Sequence, residues 1–583
     1  MLDTLATLKA AWPMLSRAIR SGQLFRPQCR VVAPDPDILC AYDVPLDVGG
    51  ARLTCNVFRS KTRSAAGSAD PVVMCAHPYD NHLTPALGKT PLKGPPQQYR
   101  LIPQAEGMPE FSTLTSWEAP DPNFWVQAGY THVNLNLPGY ANSGGSAELV
   151  SASQGAAYYA AIKAVAAQPW CNGRIGLCGV SYLAISQYHA AVAAAVDGAA
   201  SPLRCIAPWE GLSDLYRDVA CRGGVDDAGF LNFWWHTEVK ETLNMPRDAF
   251  RAQEGALPPN ALSARPLFDA YWAEKAVDFS QVTTPMLVCG SFSDHELHTP
   301  GSIRAFREAA SPRKWLYTHR TGKWTSFYSP EVLALLRDFM DHFLKDMPNR
   351  FEDLPAVRLE VRKSRSEVHA VRWETAWPVP GTRFQKLYLT PEGLADQAPA
   401  EAEERAYRAD AKGHLQFDLT FEKDTEVSGP IALRLWIEAR GSGTDAPAPD
   451  DMILCVFLDK LDRRRQPVRF FGSVGQTDDF FSRGYIRASR RELDQARSTL
   501  GNPVLTGTSR APLAAGERVP VEIALCPASG FFAAGETLRL IVAPRDLVHA
   551  PVFKKDTRLN AGRHVLHMGG GCDAHLLLPV IEA

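Results

Sequence analysis

The chain has 583 residues, 45% of them hydrophobic and 22% charged, with a formal net charge of −2. That is the composition of a globular protein with room for two or three domains. Near-neutral charge removes the electrostatic case for nucleic acid or an anionic membrane as partner, and no apolar run reaches the length of a membrane span. Twelve cysteines form no C-x-x-C pair, and several sit inside apolar runs such as residues 72–77 (VVMCAH). They read as small buried hydrophobes, so neither a disulfide framework nor a metal site is expected, and a reducing cytoplasm is the default location.

In chain order, residues 1–22 carry an amphipathic helix pattern with Asp3, Lys9 and Arg17. The basic start, apolar block and small-residue cleavage site of a signal peptide are missing, so a peripheral packing helix is expected. Residues 40–59 alternate around Gly49-Gly50, a hairpin signal. A buried strand over 71–76 ends in His77-Pro78-Tyr79-Asp80, and 81–122 is a long Pro/Gly-rich stretch that reads as either a functional loop or a poorly ordered one. A helix then stops at Gly129, a strand covers 131–137, and a helix over 153–168 takes Ser151 or Ser153 as its cap.

Residues 174–178 are a short apolar strand, Gly179-Val180-Ser181-Tyr182-Leu183 a turn, and 182–195 an Ala-rich helix. Strand–helix alternation of this spacing predicts a parallel sheet, with chemistry at the C-terminal strand ends. Residues 212–275 break the alternation with aromatic-rich helices that read as an inserted cap; Phe233, Trp234 and Trp235 suit core packing or a pocket wall. The sheet resumes at 285–289 and 313–318, and Ser329-Pro330 opens a closing helix. Beyond about residue 350, short alternating strands predict an antiparallel β-sandwich of jelly-roll type.

A serine between strand and helix sits on a strained turn, exposed above the sheet, with the free N–H groups of a helix start behind it. Such a nucleophile needs a base and an orienting carboxylate, and in α/β-hydrolases these follow in the order Ser, Asp or Glu, His on successive strand-end loops. Asp294 and His319 occupy those places. Glu296 competes with Asp294, whereas His295 and His298 follow the acid's strand rather than the next one, and His77 stands at a strand end beside the pocket. The backbone N–H of Tyr182 is one expected oxyanion donor; the Tyr79 phenol either supplies the second or packs under its loop.

Gly179-Val180-Ser181-Tyr182-Leu183, the preceding Trp170-Cys171-Asn172-Gly173, His77-Pro78-Tyr79-Asp80, Ser213-Asp214-Leu215-Tyr216 and the β-sandwich tail resemble the CocE/NonD family of α/β-hydrolases. That family groups relatives of cocaine esterase, the α-amino-acid ester hydrolases and the X-Pro dipeptidyl-peptidases. The resemblance spans about residues 40–583. With residues 1–39 read as an N-terminal helical extension from their own pattern, it implies an α/β-hydrolase domain in two parts (40–211 and 279–348), a helical cap (212–278) and a C-terminal jelly-roll β-sandwich (349–583). It also implies a Ser–Asp–His triad of Ser181, Asp294 and His319, with the Tyr79 side chain in the oxyanion hole. The chain departs from the family's D-x-R-G (here Asn136-Leu137-Pro138-Gly139), has Ala184 where a glycine often follows the elbow's leucine, and replaces G-x-W-x-H by Leu316-Tyr317-Thr318-His319. These departures point to a divergent branch with its own substrate.

The expected activity is hydrolysis of a carboxylic ester through an acyl-enzyme on Ser181, without metal or organic cofactor. The substrate is a small-molecule ester or acyl compound, and homo-oligomerisation is open. The rival is an amide hydrolase, a dipeptidyl-peptidase or amino-acid or β-lactam acylase, with Asp226-Asp227 as candidate amine ligands. A binding protein with a relic triad is the non-enzymatic alternative.

Overall fold

The structure, a computed structural model, describes residues 2–22, 28–87, 107–245, 260–410, 413–443 and 446–581. Part of the 81–122 loop, residues 88–106, lies outside them.

The first part of the chain builds one mixed sheet. Strands β1 (Ile38–Val48) and β2 (Ala51–Ser60) form the hairpin, turning at Gly49 and Gly50, whose φ angles of 53° and 88° suit glycine. Then come β3 (Asp70–His77), β4 (Thr131–Asn136), β5 (Cys171–Val180), β6 (Leu203–Trp209), β7 (Met286–Cys289), β8 (Lys314–Tyr317) and β9 (Val357–Arg362). The spatial order is β1-β2-β4-β3-β5-β6-β7-β8-β9; β2 is antiparallel to both its neighbours, every pairing from β4 to β9 is parallel, and β9 pairs antiparallel with Val368–Glu374 on its far side. Strands β3 and β4 are buried throughout; the 72–76 run of β3 is apolar, as a covered parallel sheet favours, whereas β4 buries Thr131, His132, Asn134 and Asn136 as well.

Helix α2 (Ala152–Ala166), capped by Ser151, packs on α3 (Tyr182–Ala194), where a Cβ on Gly155 would lie 2.6 Å from the His189 backbone. Between β6 and β7 the chain runs in short helical pieces, among them α4 (Phe230–Trp234) and a wide turn over Trp235–Val239. Helix α5 (Thr299–Glu308) follows β7, and α6 (Pro330–Lys345), capped by Ser329 with Pro330 in its first turn, closes the layer.

The C-terminal part is a β-sandwich. Strand β10 (Thr425–Arg440) pairs with β13 (Val519–Phe532), β15 (Arg563–Met568) and β16 (His575–Ile581). A second sheet joins β11 (Ile453–Leu461) to β12 (Ser482–Arg487) and β14 (Thr537–Ala543). A separate apolar cluster fills the space between, including Leu433, Leu454, Leu540 and Leu576. Residues of β11, β12 and β14 (Ile453, Cys455, Tyr485 and Ile541) belong instead to the core of the catalytic part.

Helix α1 (Leu2–Arg20) packs by one face and leaves the other exposed. Ala10, Met14 and Ala18, on one face, are buried, and Met14 is fully enclosed. Among the described residues no helix is long and apolar enough to cross a membrane.

Candidate active site

Ser181 sits at the junction of β5 and α3 with φ 61° and ψ −116°, a strained conformation for a residue with a Cβ. The turn closes because Gly179 (φ 143°) has no side chain: a Cβ there would stand 2.6 Å from Cβ of Leu183. Leucine therefore replaces the second glycine of a G-x-S-x-G elbow as long as the first is kept. The Ser181 N–H is used by the Trp209 carbonyl, at 3.0 Å. The Tyr182 N–H, at the first position of α3, has no acceptor within the helix and points along its axis.

The histidine at the serine is not the expected one. Nε2 of His298 lies 3.1 Å from the Ser181 hydroxyl. His319 instead places its Nε2 2.8 Å from Oε1 of Glu210 and stacks on the Trp209 ring, while Ser291 donates to the other Glu210 oxygen at 2.7 Å. The physical reason is the β7 loop, which turns back on itself: the Asp294 carbonyl accepts the backbone N–H groups of Leu297, His298 and Thr299. That turn lifts His298, at the cap of α5, over the elbow. Glu210, on a left-handed turn (φ 53°) after β6, meanwhile captures the imidazole that β8 delivers.

Asp294 stays with the serine's histidine, 4.0 Å from Nε2 of His298. Its two oxygens and Nδ1 of His298 are buried without a hydrogen bond. Burial pushes the Asp294 carboxyl up to about 7, with Lys323 pulling the other way. Burial, reinforced by Lys323, holds His298 well below the usual imidazole range, so it is neutral at pH 7 and able to accept a proton. Glu296 turns away, to Tyr485 (2.7 Å) and Arg483 (3.0 Å) on β12; burial opposes its ionisation, but Arg483, Lys555 and Arg222 hold its carboxyl down to about 2.

Tyr79 is buried at the pocket wall and receives a hydrogen bond from Nε1 of Trp234 at 3.1 Å. Its oxygen is thereby an acceptor to the indole, and its own proton is left to donate. Burial, with Glu118 and Glu238 adding to it, raises the phenol well above its ordinary value and keeps that proton on. His77 does not enter the pocket; its Nδ1 accepts the Tyr79 N–H at 3.2 Å and so fixes the loop. Trp234 is pocket wall, and Phe233 joins it there.

An apolar cavity opens in front of the serine, walled by Ile185, Leu212, Leu231, Val474, Val552 and Met14. Met14 comes from α1, and Val474 and Val552 from the sandwich, so three parts of the chain close it. Val474 holds φ 49° and ψ 47°, and beside it the Ser473 hydroxyl accepts the Glu296 N–H at 3.0 Å. Glu118, Glu238 and Lys323 supply polarity. Lys323 lies 3.7 Å from Glu118, and Trp324 donates to the same oxygen at 3.1 Å. Burial raises Glu118 to about 7 and Glu238 to about 8. Asp226 and Asp227 are spent on structure: Asp226 pairs with Arg490 at 2.8 Å, and Asp227 accepts the backbone N–H groups of Gly229, Phe230 and Leu231.

Among the described residues, Glu210, Cys289 and His319 are close enough to share a cation. Glu210 is already satisfied by His319 and Ser291, and burial holds the Cys289 thiol well above its usual value, so the donor set suits a hydrogen-bonded cluster better than a metal.

Residues 49–325 match the family model of the X-Pro dipeptidyl-peptidases (S15 family), and 349–577 match the X-Pro dipeptidyl-peptidase C-terminal non-catalytic domain. A CocE/NonD family hydrolase from Staphylococcus aureus is 31% identical, with a TM-score of 0.83 over 96% of this chain and all (100%) of that one. The chain belongs to the CocE/NonD hydrolase family. It shares 25% identity over 280 residues with the cocaine esterase of Rhodococcus sp. (strain MB1 Bresler), a stretch that spans 39% of this chain and 46% of that one. An α-amino acid ester hydrolase, 15% identical with a TM-score of 0.65 over 94% of this chain and 98% of that one, shares the fold. The CocE/NonD family is one of serine hydrolases, and this member joins an α/β-hydrolase sheet to a β-sandwich.

Sequence reasoning brought Ser181, Tyr79, Tyr182 and Asp294 to one place and missed His298, Glu118, Glu238, Lys323 and Met14. Strand order alone argues against His298. The Asp294–His298 spacing of four, directly before Thr299-Pro300, marks a helix start and was the available signal.

Proposed function

We propose that this hydrolase cleaves a carboxylic ester through an acyl-enzyme on Ser181. The carrying observation is a strained serine hydrogen-bonded to a neutral, buried histidine beside a phenol whose proton is free to donate. His298 takes the Ser181 proton as the oxygen attacks the carbonyl. Asp294, 4.0 Å away in a dry environment, stabilises the imidazolium as its counter-charge. The Tyr79 hydroxyl and the Tyr182 N–H hold the oxyanion. His298 returns the proton to the leaving alkoxide and then activates water for deacylation. His319 supports the site from behind by holding Glu210.

Ser181→Ala should lower turnover roughly 10⁶-fold, as for other triad serines. Mass spectrometry after a short pulse of an activated ester should find the acyl group on the peptide containing Ser181. An acyl group on another residue, or an active Ser181→Ala protein, sinks the proposal.

A second reading rests on Glu118 and Glu238. A cationic substrate group entering the pocket would favour release of the Glu238 proton and pair with the carboxylate so formed, which suits an aminoacyl ester or amide. Rates on matched esters and anilides with and without a free α-amine separate the two. Preference for the aminoacyl anilide overturns the simple-ester reading.

A further inference from the structure

Helix α1 has two apolar faces. The inner one, Ala10, Met14 and Ala18, packs toward the cap and closes the Ser181 cavity through Met14. The outer one has no described neighbour: Leu5, Leu8, Trp12 and Ile19 are 65, 53, 60 and 48% exposed. At 100° per residue these four fall within an arc of about 60°, a single stripe along the helix. Among the described residues, four of the exposed large hydrophobics thus lie on one helix face, whereas the others are scattered along the sequence. Scattered exposed hydrophobics are ordinary; a contiguous stripe is a contact surface.

Charge decides the occupant. Lys9 and Arg20 are exposed on the arc next to the stripe, and the sequence from residue 4 to 22 holds no acidic residue. Arg17 is half-buried and feels the opposite charge of Asp478. A second copy of the helix would bring like charges together. An anionic bilayer surface matches both properties: the leucines and tryptophan enter the acyl boundary and the cations meet the headgroups.

We propose that α1 docks this protein onto anionic lipid surfaces through Leu5, Leu8, Trp12 and Ile19, with Lys9 and Arg20 contacting the headgroups. The chain as a whole, at −2, offers such a surface no attraction; the helix does so locally. Because the opposite face of α1 walls the cavity, a docked protein holds its active site at the membrane, where apolar esters partition. The docking does not depend on the reaction proposed above; only this consequence for substrate delivery does.

Cosedimentation of the full-length protein with phosphatidylcholine vesicles, and with vesicles mixing phosphatidylcholine and phosphatidylglycerol, tests it. Affinity for the anionic vesicles should exceed that for the neutral ones by about tenfold or more at low salt and fall as salt rises. Leu8→Asp/Trp12→Asp should lose about a hundredfold in vesicle affinity. Lys9→Glu/Arg20→Glu should lose the anionic preference. Both variants should keep the wild-type melting temperature and wild-type hydrolysis of a water-soluble ester, which separates lost docking from misfolding and from failure of the catalytic reading. Wild-type protein remaining in the supernatant, or Leu8→Asp/Trp12→Asp binding as wild type does, overturns the proposal. So does a wild-type dimer that this variant dissolves, which would make the occupant a second copy.

Discussion

Exchanging the two candidate histidines one at a time tests the catalytic arrangement most directly. His298 is the hydrogen-bonding histidine of the Ser181 hydroxyl, at 3.1 Å. Removing it as His298→Ala leaves the serine without a base, and the loss in other triads is about 10⁶-fold, or about 8 kcal/mol of transition-state stabilisation. His319 makes a different set of contacts: Glu210 at 2.8 Å, the Trp209 face and Thr321. His319→Gln keeps an N–H for Glu210, whose second oxygen remains bonded to Ser291. Its cost is the stacking and part of a hydrogen bond to a charged group, about 1–3 kcal/mol of stability, with turnover within about tenfold of wild type. The assay is the labelling rate of Ser181 by a fluorophosphonate together with steady-state ester hydrolysis, each protein first shown folded by its melting curve. A folded His319→Gln protein that loses about 10⁵-fold, beside a His298→Ala protein that keeps most of its rate, would refute the reasoning. The base would then be the histidine after β8, and the Ser181–His298 contact incidental.

Tyr79→Phe should cost about 10²–10³-fold in kcat with little change in KM, the usual loss for one oxyanion donor; near-normal kcat would make Tyr79 a packing residue. Asp294 ionises as pH rises through about 7, and its negative charge then supports the His298 imidazolium, so kcat should rise across that pH and level off above it. Asp294→Asn should remove this acid limb and lower the plateau about 10⁴-fold; a limb unchanged in the variant assigns it to another group. Glu238, raised from 4.5 to about 8, keeps its proton in the folded protein where the unfolded chain has released it, so stability falls as pH rises through that window by up to a few kcal/mol. Glu238→Gln should therefore raise the melting temperature at pH 9 more than at pH 5, and an equal shift at both would show that Glu238 ionises normally.

Local chemistry made much of the fold legible. The hairpin at Gly49-Gly50, the Ser151 and Ser329 caps and the turn at Gly179 each follow from one or two residues whose backbone preference is strong. Ser181 was legible for the same reason. The histidine was not, because its role depends on where a loop folds. Counting strand ends sends His319 to the serine, but Glu210, an acid at the end of a different strand, binds that imidazole first. The carboxyls Glu118 and Glu238 sit in unrelated segments that meet only when the cap closes over the elbow, and no periodicity marks them. The inward turn of Met14 likewise shows only once α1 is seated, since the helix is apolar on two faces and sequence alone does not rank them.

The sandwich contributes Val474 and Val552 to the cavity wall, and through Ser473 and Arg483 it grips the backbone and side chain of Glu296, two residues from Asp294. Selectivity in this branch can therefore diverge by changing the length and composition of the loop around Gly472–Gln476, with Ser181, His298 and Tyr79 untouched. Grafting that loop from a relative is the natural way to exchange substrate ranges, whereas a chain ending at residue 348 would lose β9 and part of the core that the catalytic sheet shares with the sandwich.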